Sequence, residues 1–261
     1  MALTKIGKEG ITGISNSSDA NAITIDSSEN VGIGTASPSK PLTVVGGDFN
    51  TVLLDNSNSS HGTQILFQAN GATNSGADIQ MSDAGGLKIR TLAVEPLTLA
   101  TSASAGSPSN AMVISTAGEI TKPLQPAFLV TPSGTQSNIP INGLTQIAFG
   151  TEVFDIGSNF ASNTFTAPVT GRYLLSIHLY TIQNDSATSH FGTRLITSNR
   201  NYENIFDPDA SDGDNAFSHA YSVIADMDAS DTASVSLNVD NTGSAQTDIS
   251  VSSFFSGALI C

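Results

Sequence analysis

Apolar and polar residues alternate with a period of two along much of the chain. The runs Ala22-Ile23-Thr24-Ile25-Asp26, Pro41-Leu42-Thr43-Val44, Asp78-Ile79-Gln80-Met81 and Ser234-Val235-Ser236-Leu237-Asn238-Val239 all follow it. Each puts every second side chain on one face, which is the pattern of a half-buried strand. Pairs of Gly, Asn, Asp and Ser separate the runs as turns. No window of about a dozen residues carries apolar positions at the i, i+3, i+4, i+7 spacing of a surface helix. The pattern predicts an all-β protein.

The two halves differ in what they can bury. Residues 1–122 have short runs of small and β-branched residues and loosely repeat themselves. Ala22-Ile23-Thr24-Ile25-Asp26-Ser27-Ser28-Glu29-Asn30-Val31 shares its cadence with Ala111-Met112-Val113-Ile114-Ser115-Thr116-Ala117-Gly118-Glu119-Ile120, and Asp83 to Ile89 is a shorter echo. Strands this short cannot make a core alone, so an intertwined oligomer is expected. Beyond residue 120 lie ten of the 12 Phe, enough for a sandwich core. Pro123 and Pro126 stiffen the junction. The expected division is 1–45, 46–122 (a β-rich shaft) and 123–261 (a compact head).

The 23 acidic residues against nine basic ones give a net charge of −14. Nucleic acid is a poor partner for such a chain, because binding it rests on Lys and Arg neutralising phosphates. No run is long and apolar enough to cross a bilayer as a helix, and Met1 to Lys5 lacks a secretory core. Only 12% of residues are charged, and hydroxyl and amide side chains carry the polarity. The single thiol, Cys261, cannot bridge within the chain and reads as a small, half-buried residue at a strand end.

The segment Asn30-Val31-Gly32-Ile33-Gly34-Thr35-Ala36-Ser37-Pro38, leading to Leu42-Thr43-Val44, resembles a motif of tailed-phage fibre and appendage proteins. The opening Leu3 to Asn16 is similar to the N-termini of such proteins in marine phages. A second resemblance lies in Phe154-Asp155, Phe160 and Asn163-Thr164-Phe165-Thr166-Ala167-Pro168-Val169-Thr170-Gly171-Arg172-Tyr173-Leu174-Leu175-Ser176. These resemble the core run of C1q-like domains, and Ser253-Phe254-Phe255-Ser256-Gly257-Ala258-Leu259 is similar to the family's closing strand. Ala225 to Val235 matches a third element, with Ser230 where the family has Gly. The resemblance implies a C1q/TNF-like jelly roll assembled as a homotrimer. Along Tyr173 to Tyr180 both faces are largely apolar, as expected of a strand that also packs against neighbouring copies.

Chemistry is sparse. No HxH, HExxH or Cys-His pair supports zinc. His178 falls in a predicted strand, and His61, His190 and His219 fall in polar stretches. Eight carboxylates crowd Glu203 to Asp231, and Asp207, Asp209, Asp212 and Asp214 offer oxygens around Gly213. Calcium and a plain solvated loop both fit that stretch. No nucleophile-base set, phosphate loop or paired-carboxylate groove stands out, so an enzyme is not expected.

Taken with the resemblances, these features point to a virion appendage, on the tail or the capsid surface. It would be held through residues 1–45 by other virion proteins, with a head that binds a host-surface glycan or protein. The loops Asn184 to His190, Asn199 to Ser218 and Asp240 to Gln246 are the candidate receptor surface, with Asn184, Asp185, His190, Arg200, Tyr202 and Asn204 as its polar contacts. A capsid decoration protein or head fibre, and a secreted bacterial C1q-like lectin, are the other readings.

Overall fold

A computed structural model describes residues 23–45, 63–68, 76–81, 86–92, 94–102, 108–208 and 216–261, and every regular element among them is a strand. Two compact units divide at residues 93 and 94. In the first unit, β1 (Ile23–Ile25) pairs antiparallel with β2 (Val31–Ile33), and β2 pairs parallel with β3 (Leu42–Val44). Parallel neighbours usually need a crossover of a dozen residues or more. Here the connection is shorter because Gly34 takes φ +74° and lies so close to Val45 that a Cβ would stand 2.1 Å from the Val45 carbonyl oxygen. The glycines of the VGIGT run therefore have a local backbone reason. A second sheet is the meander β4 (Thr63–Gln68), β5 (Gly76–Met81), β6 (Leu87–Thr91). In it the buried Asp78 accepts 3.0 and 2.6 Å hydrogen bonds from the Arg90 guanidinium.

The second unit opens with β7 (Leu97–Thr101), β8 (Ser109–Ile114) and β9 (Ile120–Thr121). The internal repeat has a structural basis here. In the β1–β2 turn the Asp26 carboxylate accepts the Ser28 and Asn30 amides. In the β8–β9 turn the Ser115 hydroxyl accepts the Ala117 and Glu119 amides. Both turns carry a positive φ at their fourth residue, Glu29 and Gly118. The cadence read in sequence is one turn used twice.

The remaining strands form a jelly-roll sandwich. They are β10 (Ala127–Thr131), β11 (Leu144–Gln146), β12 (Thr151–Ile156), β13 (Phe160–Ala161), β14 (Thr164–Thr166), β15 (Gly171–Ile182), β16 (Thr188–Thr197), β17 (Asn201–Phe206), β18 (Phe217–Met227), β19 (Thr232–Asn241), β20 (Asp248–Ile249) and β21 (Phe254–Leu259). The front sheet runs β12-β10-β21-β15-β18 and the rear sheet β13-β14-β19-β16-β17. The core between them holds Phe128, Phe165, Tyr173, Leu175, Phe191, Leu195, Leu237 and Phe255. Phe128 stacks on Phe165 with ring centroids 4.6 Å apart. Gly257 makes this possible, since a Cβ there would meet the Phe128 ring and Leu175 at 2.6 Å. The expected fold class, all-β with a jelly-roll sandwich at its C-terminal end, is the one observed.

Two expectations change. Cys261 is exposed rather than half-buried. The stretch Asn199 to Ser218, read as loop, contains β17, whose polar residues make it look unlike a strand because it lies at the sheet edge.

One phenol joins the sheets. Tyr221 on β18 of the front sheet reaches the β16–β17 ladder of the rear sheet. Its hydroxyl accepts the Leu195 amide at 2.8 Å and turns its proton towards the Tyr202 and Thr193 carbonyls, 3.0 and 3.2 Å away. Burial pushes the phenol up to about 12, opposed by the Leu195 hydrogen bond and helped by nearby Glu203. Tyr221→Phe leaves the Leu195 amide without this partner. The expected loss is about 2 kcal/mol, read as a lower denaturation midpoint with unchanged slope.

Candidate functional site

Register pairs define the two outer faces of the sandwich. Across the front sheet, Ile156, Ala127, Ala258, Leu174 and Ile224 lie in one row over five strands. The next row is Phe154, Leu129, Ser256, Ser176 and Ser222, followed by Phe254, His178 and Ala220. None of these residues is Asp, Glu, Lys or Arg. Leu174 is 41% exposed, Phe154 47% and Ile224 59%. His178 stacks on Phe254 and contacts the Ser218 hydroxyl at 2.5 Å. The rear face is different in kind. Arg194 pairs with Glu203 at 2.7 Å and His190 approaches Asp240 at 3.5 Å, with Asn238 between them and Ser234 and Asn201 beyond Arg194. That face is charged, with Ile205 and Leu144 as its exposed apolar residues, whereas the three rows of the front face carry no charge. The expectation for Tyr173 to Tyr180 is thus refined. Tyr173, Leu175, Ile177 and Leu179 are core, and the alternate residues form the front face.

The candidate receptor residues do not form one patch. Asn184 is buried, with its amide on the Thr181 hydroxyl at 3.2 Å. Asp185 ties two loops together. Its carboxylate accepts the Ser244 amide at 2.9 Å and the Ala187 amide at 3.0 Å, which hold it below the usual carboxylate range. His190 lies on the rear face near that end. Arg200 sits in the turn at the opposite end of β16, donating to Asp226 at 2.8 Å. Ten residues of strand, about 30 Å, separate the two loop clusters. Tyr202 and Asn204 lie on β17, Asn204 exposed and Tyr202 packed against the core. Asp207 is exposed, and Asp209, Asp212 and Asp214 lie outside the described residues, as does His61. Among the described residues, no three His, Cys, Asp or Glu are gathered as metal ligands.

A cavity lies at the Arg200 end. Thr170, Arg172, Asn199, Asp226, Met227 and Asp228 line a volume of about 240 Å³. Sequence reading passed over Thr170 and Arg172 because they sit inside a run whose other residues make the core. Their signal is that they are its polar positions.

His219 also departs from expectation. Instead of a polar stretch, it sits in β18, 2% exposed, edge-on to Phe191 and Phe206 with centroids 5.0 and 5.3 Å away. Its Nε2 is 3.4 Å from the Thr181 hydroxyl and its Nδ1 has no hydrogen-bond partner. Burial, with the neighbouring His178, lowers its pKa to about 4.

No protein-family model matches the chain, and neither does any curated protein. Among solved structures, the globular domain of zebrafish complement 1qA protein is 16% identical over 52% of this chain and 98% of that one, with a TM-score of 0.41. Murine APRIL crystallised at pH 5.0 is 14% identical over 52% of this chain and 99% of that one, with a TM-score of 0.38. The crystal form of murine APRIL at pH 8.0, with the same identity and coverage, has a TM-score of 0.39.

Proposed function

We propose that this chain is a subunit of a homotrimeric virion appendage whose jelly-roll head binds a host-surface receptor. The observation that carries the reading is the field of apolar and small polar residues on the front face of the head, bounded at one end by Arg172 and Asp226. Further copies are its natural occupant, because three successive rows across the front sheet carry no charged residue and leave Phe154, Leu174 and Ile224 exposed. The N-terminal sheets need the same assembly. Ile23, Ile25, Leu42, Leu87 and Ile89 are all exposed on three-stranded sheets too small to bury them. The resemblance of Asn30 to Val44 to phage appendage proteins supports the virion address, and three copies of one head would add weak contacts through avidity.

Adsorption tests the reading. Excess soluble protein should compete with intact particles for the host surface and lower adsorption at least tenfold. Unchanged adsorption at saturating protein would refute receptor binding. Labelled antibody to the head on intact particles separates tail from capsid surface.

A further inference from the structure

We infer that the cavity at the Arg172 end of the head is a subsite for one neutral, hexose-sized polyol. Arg172 and Asp226 are direct cross-strand partners on β15 and β18, yet they are not joined. Asp226 is engaged by Arg200 at 2.8 Å, while the one hydrogen bond of the Arg172 side chain is a 4.0 Å contact to Cys261 Sγ. The guanidinium therefore faces the cavity with most of its donors unspent.

The acceptors opposite it are fixed but incompletely used. The Asn199 amide nitrogen donates to the Asp226 carbonyl at 2.9 Å and to Asp231 Oδ2 at 3.0 Å. That holds the side chain in place and leaves its oxygen free to accept. Asp228 takes a 3.4 Å hydrogen bond from Thr170 on Oδ1 only, and Asp226 uses Oδ2 for Arg200. Two carboxylate oxygens, one amide oxygen and one planar cation thus line one space of about 240 Å³.

A ligand that satisfies them must donate to the oxygens and accept from the guanidinium within a few ångströms. Vicinal hydroxyls do both, since each is a donor and an acceptor. A simple anion satisfies only Arg172 and meets two carboxylates. A simple cation satisfies the carboxylates and meets Arg172. The net charge of −14 also disfavours an anionic sugar. No aromatic ring lines the cavity, so charged hydrogen bonds would supply most of the affinity.

The inference rests on the head being a binding module, but not on the virion address. Saturation-transfer NMR on the full-length protein, with the methyl glycosides of glucose, galactose and mannose and with glucuronate, tests it. At least one neutral glycoside should bind in the millimolar range. Arg172→Ala and Asp228→Asn should each weaken it tenfold or more, while Ile205→Ser on the rear edge leaves it unchanged. All variants should keep the parent melting temperature. Absence of binding by every neutral glycoside, binding of glucuronate alone, or binding indifferent to Arg172→Ala would each overturn the subsite. The two readings also separate in the adsorption assay. If Arg172→Ala protein competes as well as the parent, the receptor reading stands and the subsite is not its contact. If Arg172→Ala abolishes glycoside binding and neither protein competes, the subsite stands and the receptor reading falls.

Discussion

Leu174→Asp is expected to convert the proposed three-copy head to single copies without unfolding it. Leu174 is the fourth residue of the apolar row Ile156, Ala127, Ala258, Leu174 and Ile224. In a single copy it is 41% exposed, so a carboxylate there can stay hydrated and the sandwich loses little. In the proposed assembly the same carboxylate is desolvated in every copy with no basic residue among the three rows to meet it, Arg172 standing at their edge beside Asp226. The penalty is several kcal/mol per buried charge, far beyond what a few apolar side chains return. The segment from Pro123 to Cys261 contains all of the buried hydrophobic core among the described residues and gives the plainest measurement. Native mass spectrometry should show three copies for the parent and one for the variant, with the near-ultraviolet circular dichroism of both alike. A parent segment that runs as a single copy, or a variant that remains threefold, would sink the proposed interface. Thr232→Asp on the rear sheet serves as the control, because that exposed position has polar neighbours.

Acid is expected to weaken the head through His219. This imidazole is neutral in the fold with a pKa of about 4, against an ordinary value of 6.5. The unfolded chain therefore takes up a proton at a higher pH than the folded one. Stability is complete above pH 6.5, falls as pH drops from 6.5 towards 4, and levels off below that. The gap corresponds to about 3 kcal/mol. Burial is the larger cause, and the neighbouring His178, turned to the outer face of the front sheet, adds to it. Nothing among the described residues offers a carboxylate to compensate it by an ion pair. His219→Phe should flatten the profile, because the position already packs against the Phe191 and Phe206 rings. It also removes a ring nitrogen without a hydrogen bond. Denaturant midpoints at pH 7 and pH 4.5 make the comparison. A parent whose loss equals that of the variant would show that other groups govern the acid response. Carboxylates held low by hydrogen bonds, such as Asp185, act in a different window, below the ordinary carboxylate value.

Sequence made the strands legible where alternation was backed by large side chains. Phe165 to Leu179 reads as a turn followed by a strand, and Ala167 to Thr170 does lead into β15. The weakest match to the C1q-like pattern also has a clear local meaning. Ser230 stands where the family has Gly, and its φ of +79° is the left-handed conformation that Gly adopts freely. The turn survives because the Ser230 amide donates to the Ala167 carbonyl at 2.7 Å.

Other features were hidden for physical reasons. Edge strands bury little, so β17 has no clean apolar period to reveal it. His219 looked polar because it follows the polar run from Ser211 to Asn215 and stands between Ser218 and Ser222. Yet it is in phase with Phe217, Tyr221 and Val223, and that phase was the available signal. Loop proximity was not readable at all. Arg200 and Asp185 are near in sequence, but the length of β16 sends them to opposite ends. The cavity depends on three turns brought together by strands that pair across more than fifty residues, which no local pattern records.

The Tyr221 hydroxyl has a consequence for how the molecule folds. The β16–β17 hairpin is local in sequence and would ordinarily be an early, self-sufficient unit. Here its Leu195 amide is satisfied by a residue of the opposite sheet. The hairpin therefore cannot finish its hydrogen bonding until the front sheet is in place, and the two sheets mature together. Amide exchange at Leu195 should accordingly follow global opening in the parent. In Tyr221→Phe it should drop to the faster rate of a hairpin that opens alone.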